Sequence, residues 1–313
     1  VPELPEVQTT VDGLNAEVAG LRITDVWTDY KSPFHAGKEN IKNPHYFERF
    51  KKEVVGTKIT NAERQGKNVL IHLKNVVGEK TILIHMKMTG HLMAGRYIFD
   101  TAAKTWKPRV AEGPLIDPFN KFIHLVFALS DERQLVFSDL RKFAKVFLFE
   151  TANRHTIEDL MHLGPDPLTP EFTFAEMKNR LALKPGGKIK QVLMDQTVIS
   201  GIGNIYSDEM LWSASIHPLS RAGAIPPAAL KKLYAAMRTV LRKGIDFGGD
   251  SDSDYRNIYG ERGKFQHKHN AYRRTDKPCP RRNAGRACGG TIRRLKIGGR
   301  SAHFCDTHQK KYL

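Results

Sequence analysis

Cysteine is scarce in this chain of 313 residues. There are three, an odd number, so a disulfide framework does not carry the fold. No apolar run approaches the roughly 20 residues that a membrane-crossing helix needs, which excludes that class. The opening residues lack the basic-then-apolar pattern of a secretory leader and carry Glu3 and Glu6 instead. The expectation is a cytoplasmic protein with reduced thiols and no membrane span. Acids are the other shortage: 33 Asp and Glu against 50 Lys and Arg, a formal net charge of +17. Such a field favours polyanions, either nucleic acid or an anionic membrane surface.

What is present is unevenly placed. From Glu261 to Leu313 there are 15 Lys and Arg against three acids, which supplies +12 of the total. Phe265, Tyr272, Ile292, Leu295, Ile297, Phe304 and all three cysteines are interleaved with this charge, so the segment reads as a folded basic module. The first half reads as strands: 69–73, 81–85, 122–129, 134–137 and 146–149 are short, apolar and separated by turn residues. Such spacing suggests a sandwich or barrel. Val7, Val11, Leu14, Val18 and Leu21 recur at three to four residues, which predicts an amphipathic helix over 7–21. From Ile157 to Phe247 the pattern is helical, with helices predicted over 173–183 and 227–247. A Gly-, Ser- and Asp-rich loop follows, over 248–266. The expected modules are 1–150, 151–263 and 264–313, an α+β multi-domain chain.

The chain opens Val1-Pro2-Glu3-Leu4-Pro5-Glu6-Val7. A free N-terminal proline is a secondary amine, able to attack a sugar C1′ and form an iminium, with an adjacent acid to move protons. Six further stretches follow in order: Arg64-Gln65-Gly66-Lys67, His85-Met86-Lys87-Met88-Thr89-Gly90, Asp139-Leu140-Arg141-Lys142-Phe143, His162-Leu163-Gly164-Pro165-Asp166-Pro167-Leu168, Met194-Asp195-Gln196, and Gly201-Ile202-Gly203-Asn204-Ile205-Tyr206-Ser207-Asp208-Glu209. Together they resemble the formamidopyrimidine-DNA glycosylase family over nearly the whole chain. The last two stretches resemble its helix–two-turn–helix (H2TH) signature.

The resemblance implies an N-terminal β-sandwich with a flanking helix, a helical H2TH domain and a C-terminal β-hairpin zinc finger. It implies a bacterial, nucleoid-associated glycosylase/AP lyase that removes oxidised purines such as 8-oxoguanine from damaged duplex DNA, with no membrane partner. Pro2 is the implied nucleophile, Glu3 the proton shuttle, and Lys67 a phosphate contact and helper in β-elimination. Arg300 is placed with them at the finger tip. Met88, Arg141 and Phe143 are implied to fill the gap left by the flipped nucleotide. His124, Lys190, Asn204 and Arg300 are implied DNA contacts, and Glu6 and Tyr255 implied substrate contacts. The segment Gly260-Glu261-Arg262-Gly263-Lys264-Phe265 resembles the end of the loop that covers an everted purine. A base inside a duplex must be extruded for such chemistry, and apolar wedges offset the lost stacking.

Cys279, Cys288, Cys305 and His308 form a candidate tetrahedral zinc set, the last two spaced C-x2-H. The stretch 292–304 is expected to be a hairpin turning at Gly298-Gly299. One structural zinc is expected and no nucleotide cofactor. The first pair is spaced C-x8-C, where the family has about two intervening residues, and His308 stands where the family has cysteine. Phe122 stands where a phosphate-binding histidine is common, Ala144 replaces a glycine, and the stretch 95–120 is longer than usual.

Val1 decides whether Pro2 can react, because an acylated proline nitrogen cannot form an iminium. The favoured expectation is that Val1 is the literal reading of a GUG start codon, translated as Met and removed. An endonuclease VIII-like enzyme for oxidised pyrimidines is the alternative within the family. Its members usually open Pro-Glu-Gly-Pro-Glu and lack the Arg-Lys-Phe loop, so Leu4 and Arg141-Lys142-Phe143 favour the purine branch. A non-catalytic DNA-binding homologue, or more remotely a ribosomal zinc-ribbon protein, would explain the charge but not Lys67. Nothing points to an obligate oligomer, so a monomer is expected.

Overall fold

A computed structural model describes residues 2–252 and 254–313, so Val1 and the question it raises lie outside the described residues. Contacts divide the chain into two compact units, one of residues 1–161 and 247–264, the other of residues 162–246 and 265–313. The segment 247–264, which the sequence reading attaches to the helical module, thus lies with the first unit.

The first unit opens with helix α1 (Leu4–Glu17), three residues earlier than its apolar spacing indicates. Glu3 is the N-cap, Pro5 sits in the first turn, where its missing N–H costs nothing, and Glu6 Oε2 accepts from Glu3 N at 2.7 Å. Val7, Val11 and Leu14 are buried on one face. Then follow β1 (Ile23–Thr28), α2 (Pro44–Val54), β2 (Lys58–Gln65), β3 (Asn68–Lys74), β4 (Glu79–His85), β5 (His91–Gly95), β6 (Tyr97–Asp100), β7 (Thr105–Pro108), β8 (Ile123–Leu129), β9 (Gln134–Ser138) and β10 (Lys145–Glu150). They build two antiparallel four-stranded sheets, ordered β1-β8-β9-β5 and β10-β4-β3-β2, with β6-β7 as a separate hairpin. Both sheets bury apolar side chains, including Val69, Leu70, Leu83 and Ile84 in one and Leu125, Phe127 and Phe137 in the other. This is the expected β-sandwich. The unusually long stretch after β5 holds the β6-β7 hairpin and two short 3₁₀ turns. Its Trp106 and Leu115, with Trp27 of β1, pack against a core cluster that includes Met93 of β5, Tyr97 and Ile123 of β8.

Register makes the sandwich useful. In one sheet Gln65, Asn68, His85 and Lys145 lie side by side. The Gly66-Lys67 turn, the 86–90 turn and the 139–144 loop therefore leave from one end of it. Helix α1 runs along β2 with Asn15 bonded to Ala62 and Gln8 to Arg64. Its N-terminus is thereby directed toward the same end.

After the short helix α3 (Glu158–Met161) at the close of its first stretch, the second unit holds α4 (Phe174–Ala182), α5 (Ile189–Met194), α6 (Asn204–Ala214) and α7 (Pro227–Asp246). Two small hairpins end the chain: β11 (Arg282–Asn283) with β12 (Arg286–Ala287), and β13 (Ile292–Ile297) with β14 (Arg300–Cys305). The second turns at Gly298-Gly299, as its sequence indicates. No helix among the described residues is long and apolar enough to cross a membrane.

Candidate active site, nucleic-acid interface and metal centre

Pro2 and Glu3 are buried at the start of α1. Glu6 holds them there. One of its carboxylate oxygens accepts from Glu3 N and the other from Asp250 N at 2.7 Å. Tyr255, 4% exposed, donates its hydroxyl to Glu6 O at 3.0 Å. Burial pushes that phenol well above its ordinary pKa, so it stays protonated. Glu6 and Tyr255 were read as substrate contacts. Both are buried with these polar atoms engaged inside the chain, a geometry that positions Pro2 and Glu3.

Lys67 is half-buried in a two-residue hairpin turn whose first position, Gly66, has φ +59°, a value that glycine adopts without strain. Beside it, His85 Nδ1 accepts from Lys87 N at 3.0 Å and pins the turn that carries Met88. Burial, with the Lys87 and Lys67 cations, lowers His85 to about 4, so the ring is neutral and keeps that lone pair.

Met88, half-buried, is tied to the 139–144 loop by the buried carboxylate of Asp139. It accepts from Thr89 Oγ1 at 2.5 Å, Tyr30 OH at 2.9 Å and Ala144 N at 2.9 Å, while Arg141 N donates to Thr89 Oγ1 at 3.1 Å. Lys42 Nζ donates to Lys142 O at 2.7 Å, bracing a residue with φ +52°. On this base Phe143 is 51% exposed, with the exposed Arg141 guanidinium over its ring at 4.6 Å. A solvent-facing phenylalanine stacked with arginine is not core packing. It is an exposed apolar ring beside a cationic hydrogen-bond donor. The alanine that replaces glycine at 144 is buried and fits. His124 is half-buried on β8, its Nδ1 2.8 Å from Asp29 Oδ1. Tyr30, Lys42 and Asp139 are far apart in sequence, and only the last lies in a recognisable motif.

In the second unit, Gly203 caps α6 and Asn204 is its first residue. Gln196 ties this turn, accepting from Gly201 N at 2.9 Å and donating to Ile202 O at 2.9 Å. Lys190, read as a DNA contact, is fully buried. Its Nζ donates to Asn204 O, Ser207 Oγ and Asp208 Oδ1 at 3.1, 3.0 and 2.6 Å. An ammonium has three protons and these use them, so Lys190 supports the turn from beneath. Asp208 Oδ2 in turn accepts from His303 N and pairs with its Nδ1, each at 2.9 Å. This joins the α6 turn to the β13-β14 hairpin, which presents the exposed Arg300. A cleft of about 510 Å³ lies between α5 and this hairpin, lined by Lys184, Gln191, Asp195, Gly298 and Arg300 among others.

The ligand atoms of Cys279, Cys288, Cys305 and His308 lie within 4.8 Å of one another. Cys288 Sγ is 3.7 Å from Cys305 Sγ and 3.5 Å from His308 Nδ1, and Cys279 Sγ is 3.6 Å from His308 Nδ1. A tetrahedral zinc with ordinary bond lengths needs edges of roughly 3.8 Å between sulfurs and 3.5 Å from sulfur to nitrogen. The residues fit one structural zinc. His308 Nε2 lies 3.1 Å from Trp212 O, which leaves Nδ1 for the metal, and Trp212 Nε1 donates to Cys279 Sγ at 3.3 Å. The long C-x8-C knuckle closes as the β11-β12 hairpin, turning at Ala284 (φ +46°) and Gly285 (φ +80°). His303, close in sequence, bonds Asp208 and stays outside the cluster.

A two-sheet unit with a capped N-terminal helix, followed by a helical unit with a glycine-lined helix N-terminus and a basic zinc hairpin, defines a zinc-finger protein built for nucleic acid. The chain belongs to the formamidopyrimidine-DNA glycosylase family. The family's N-terminal domain matches residues 1–146, its H2TH domain residues 163–255, and the zinc finger found in FPG and IleRS residues 276–307. The formamidopyrimidine-DNA glycosylase of Bacillus subtilis is 34% identical over 99% of this chain and 100% of its own length. A complex of Lactococcus lactis Fpg with abasic-site DNA superposes with a TM-score of 0.79 at 29% identity, covering 99% of this chain and 100% of that one. A structure of MutM with DNA containing carbocyclic 8-oxo-G gives 0.78 at 30%, with the same coverage.

Proposed function

We propose that the chain is a base excision repair enzyme acting on damaged duplex DNA, a DNA glycosylase and AP lyase for oxidised purines. One observation carries this reading: Lys67, Met88, Arg141 and Phe143 leave from one end of the sandwich, toward which α1 directs Pro2 and Glu3. Residues 1–150 would be the catalytic module, 151–263 the H2TH module with the covering loop, and 264–313 the zinc finger.

Met88 and Phe143 enter the space left by the everted nucleotide, and Arg141 donates to the orphaned cytosine. The Pro2 nitrogen forms a bond to C1′ as the bond from C1′ to the base breaks and the base leaves with a proton. Glu3, within the same capped turn, supplies protons for base loss and ring opening. The resulting iminium acidifies C2′, and loss of that proton expels the 3′ phosphate, with Lys67 placed to stabilise it. A second elimination then expels the 5′ phosphate. Asn204 and Arg300 hold phosphates, His124 is a further contact, and Lys190 acts through the Asn204 turn.

Borohydride trapping on a duplex with 8-oxoguanine opposite cytosine, the adduct mapped by mass spectrometry, tests the reading. The expected result is an adduct on Pro2 with Val1 absent, and weaker strand cleavage in Lys67→Ala. Folded protein with a free Pro2 and no adduct would overturn the purine reading. Absence of an adduct with Val1 attached would identify a protein that binds without cutting.

A further inference from the structure

The long segment after β5 contacts the loop 254–263 through side chains that the chemistry above does not use. Arg256 in that loop is fully buried. A buried guanidinium is costly unless paired, and here the pair is supplied by Asp117. Arg256 Nη2 donates to both Asp117 oxygens, at 2.9 and 3.0 Å, and Nη1 donates to Tyr255 O at 2.8 Å. The guanidinium lies 5.0 Å from the centre of the Phe119 ring, and Asp117 also accepts from Phe119 N at 2.9 Å. Three residues on, the buried Asn120 donates to Pro114 O at 2.9 Å and to Gly260 O at 3.1 Å. Its Oδ1 lies 2.9 Å from His91 Nε2. Gly260 has φ +80°, and a Cβ there would come within 2.8 Å of Asn120 Nδ2 and 3.0 Å of Leu115.

The far side of the loop is equally engaged. Ala94 N donates to Ile258 O at 2.8 Å, Ile258 packs on Gly13 of α1, and Tyr259 OH donates to Glu17 at 2.9 Å. Tyr255, next to Arg256, bonds Glu6, which in turn holds Glu3 N. A continuous set of contacts therefore runs from Asp117 to the start of α1.

We propose that Asp117 and Asn120 are positioning residues that hold loop 254–263 against α1 before DNA arrives, so that the cover for an everted base is pre-formed. The proposal rests on the glycosylase reading, since the loop's covering role comes from it. A loop already ordered loses no freedom when the base enters, and that advantage exists only for a substrate that still has a base. An abasic site has nothing to cover.

The test compares single-turnover base excision at 8-oxoguanine opposite cytosine with strand cleavage at a preformed abasic site. Hydrogen exchange of amides 254–263 is followed in the free protein. Asp117→Ala is expected to slow excision by about tenfold or more, the scale of a misplaced site element. Abasic-site cleavage should stay within about twofold, loop exchange should accelerate, and Asp117→Glu should restore both. Asn120→Ala, which buries no lone charge, is the second variant if Asp117→Ala fails to fold. Equal loss on both substrates, unchanged excision, or a loop that already exchanges freely in the wild type would overturn the proposal. A wild type without excision activity would instead overturn the glycosylase reading, and the exchange data would still decide whether Asp117 and Asn120 order the loop.

Discussion

At the scale of single residues, the site depends on buried polar groups that hold one ionisation state. His85 and His91 are both lowered to about 4, chiefly by burial. In the unfolded chain each would titrate near 6.5. Above that value neither state is protonated, and the histidines contribute nothing to the pH dependence. As pH falls from 6.5 toward 4 the unfolded state takes up protons that the folded state refuses, so stability is lost across that window. The limit is about 1.4 kcal/mol per pH unit for each ring. Urea unfolding at several pH values should therefore show wild-type stability falling through this range, with a shallower fall in His85→Asn. Parallel slopes would mean that His85 does not titrate differently on unfolding. The consequence reaches the Met88 turn, because His85 accepts from Lys87 N only while neutral.

At the scale of elements, β3, β4, β8, β9, β10 and the β13-β14 hairpin were legible because each sandwich strand is a short apolar run bounded by turn residues and a glycine pair marks the hairpin turn. The start of α1 was not, since its first turn is set by the Glu3–Glu6 cap and Pro5, which an apolar repeat does not register. Paired strands of two residues are equally invisible to periodicity, so the closure of the C-x8-C knuckle required the structure. The burial of Lys190 was hidden for a different reason: its acceptors come from α6, far enough along the chain that sequence shows only a lone basic residue. The zinc set was legible, and its energetic weight follows from the module's size. The core cluster around the site is Ala271, Cys279, Ile292 and Cys305, so two of its four members are themselves metal ligands. Burial pushes the Cys305 thiol up to about 11, so the metal must stabilise the thiolate. One zinc per chain should be released by chelator, and duplex affinity should fall with it. His308→Cys should retain the metal and His308→Ala should lose it. Full duplex affinity in the metal-free protein would show that the hairpin presenting Arg300 does not need zinc.

At the scale of the whole molecule, charge and hydrogen bonding can be separated by salt. The net +17, most of it in the last 53 residues, predicts binding dominated by counterion release from the duplex. Each phosphate neutralised contributes about −0.9 to the slope of log affinity against log salt. Arg300 is exposed at the hairpin and carries a full charge, whereas Asn204 offers only an amide and the dipole of α6. Both substitutions to alanine should weaken binding, but in different ways. Arg300→Ala should make the slope shallower by about 0.9, so its defect shrinks as salt rises. Asn204→Ala should lower affinity by a nearly constant factor at every salt concentration. Lys190 offers no such handle, since its charge is already matched by Asp208 inside the protein. Affinity titrations from low to moderate salt with an undamaged duplex distinguish these cases without requiring catalysis. If the Arg300→Ala slope equals that of the wild type, the hairpin arginine does not meet a phosphate, and the basic module's charge must act through other residues.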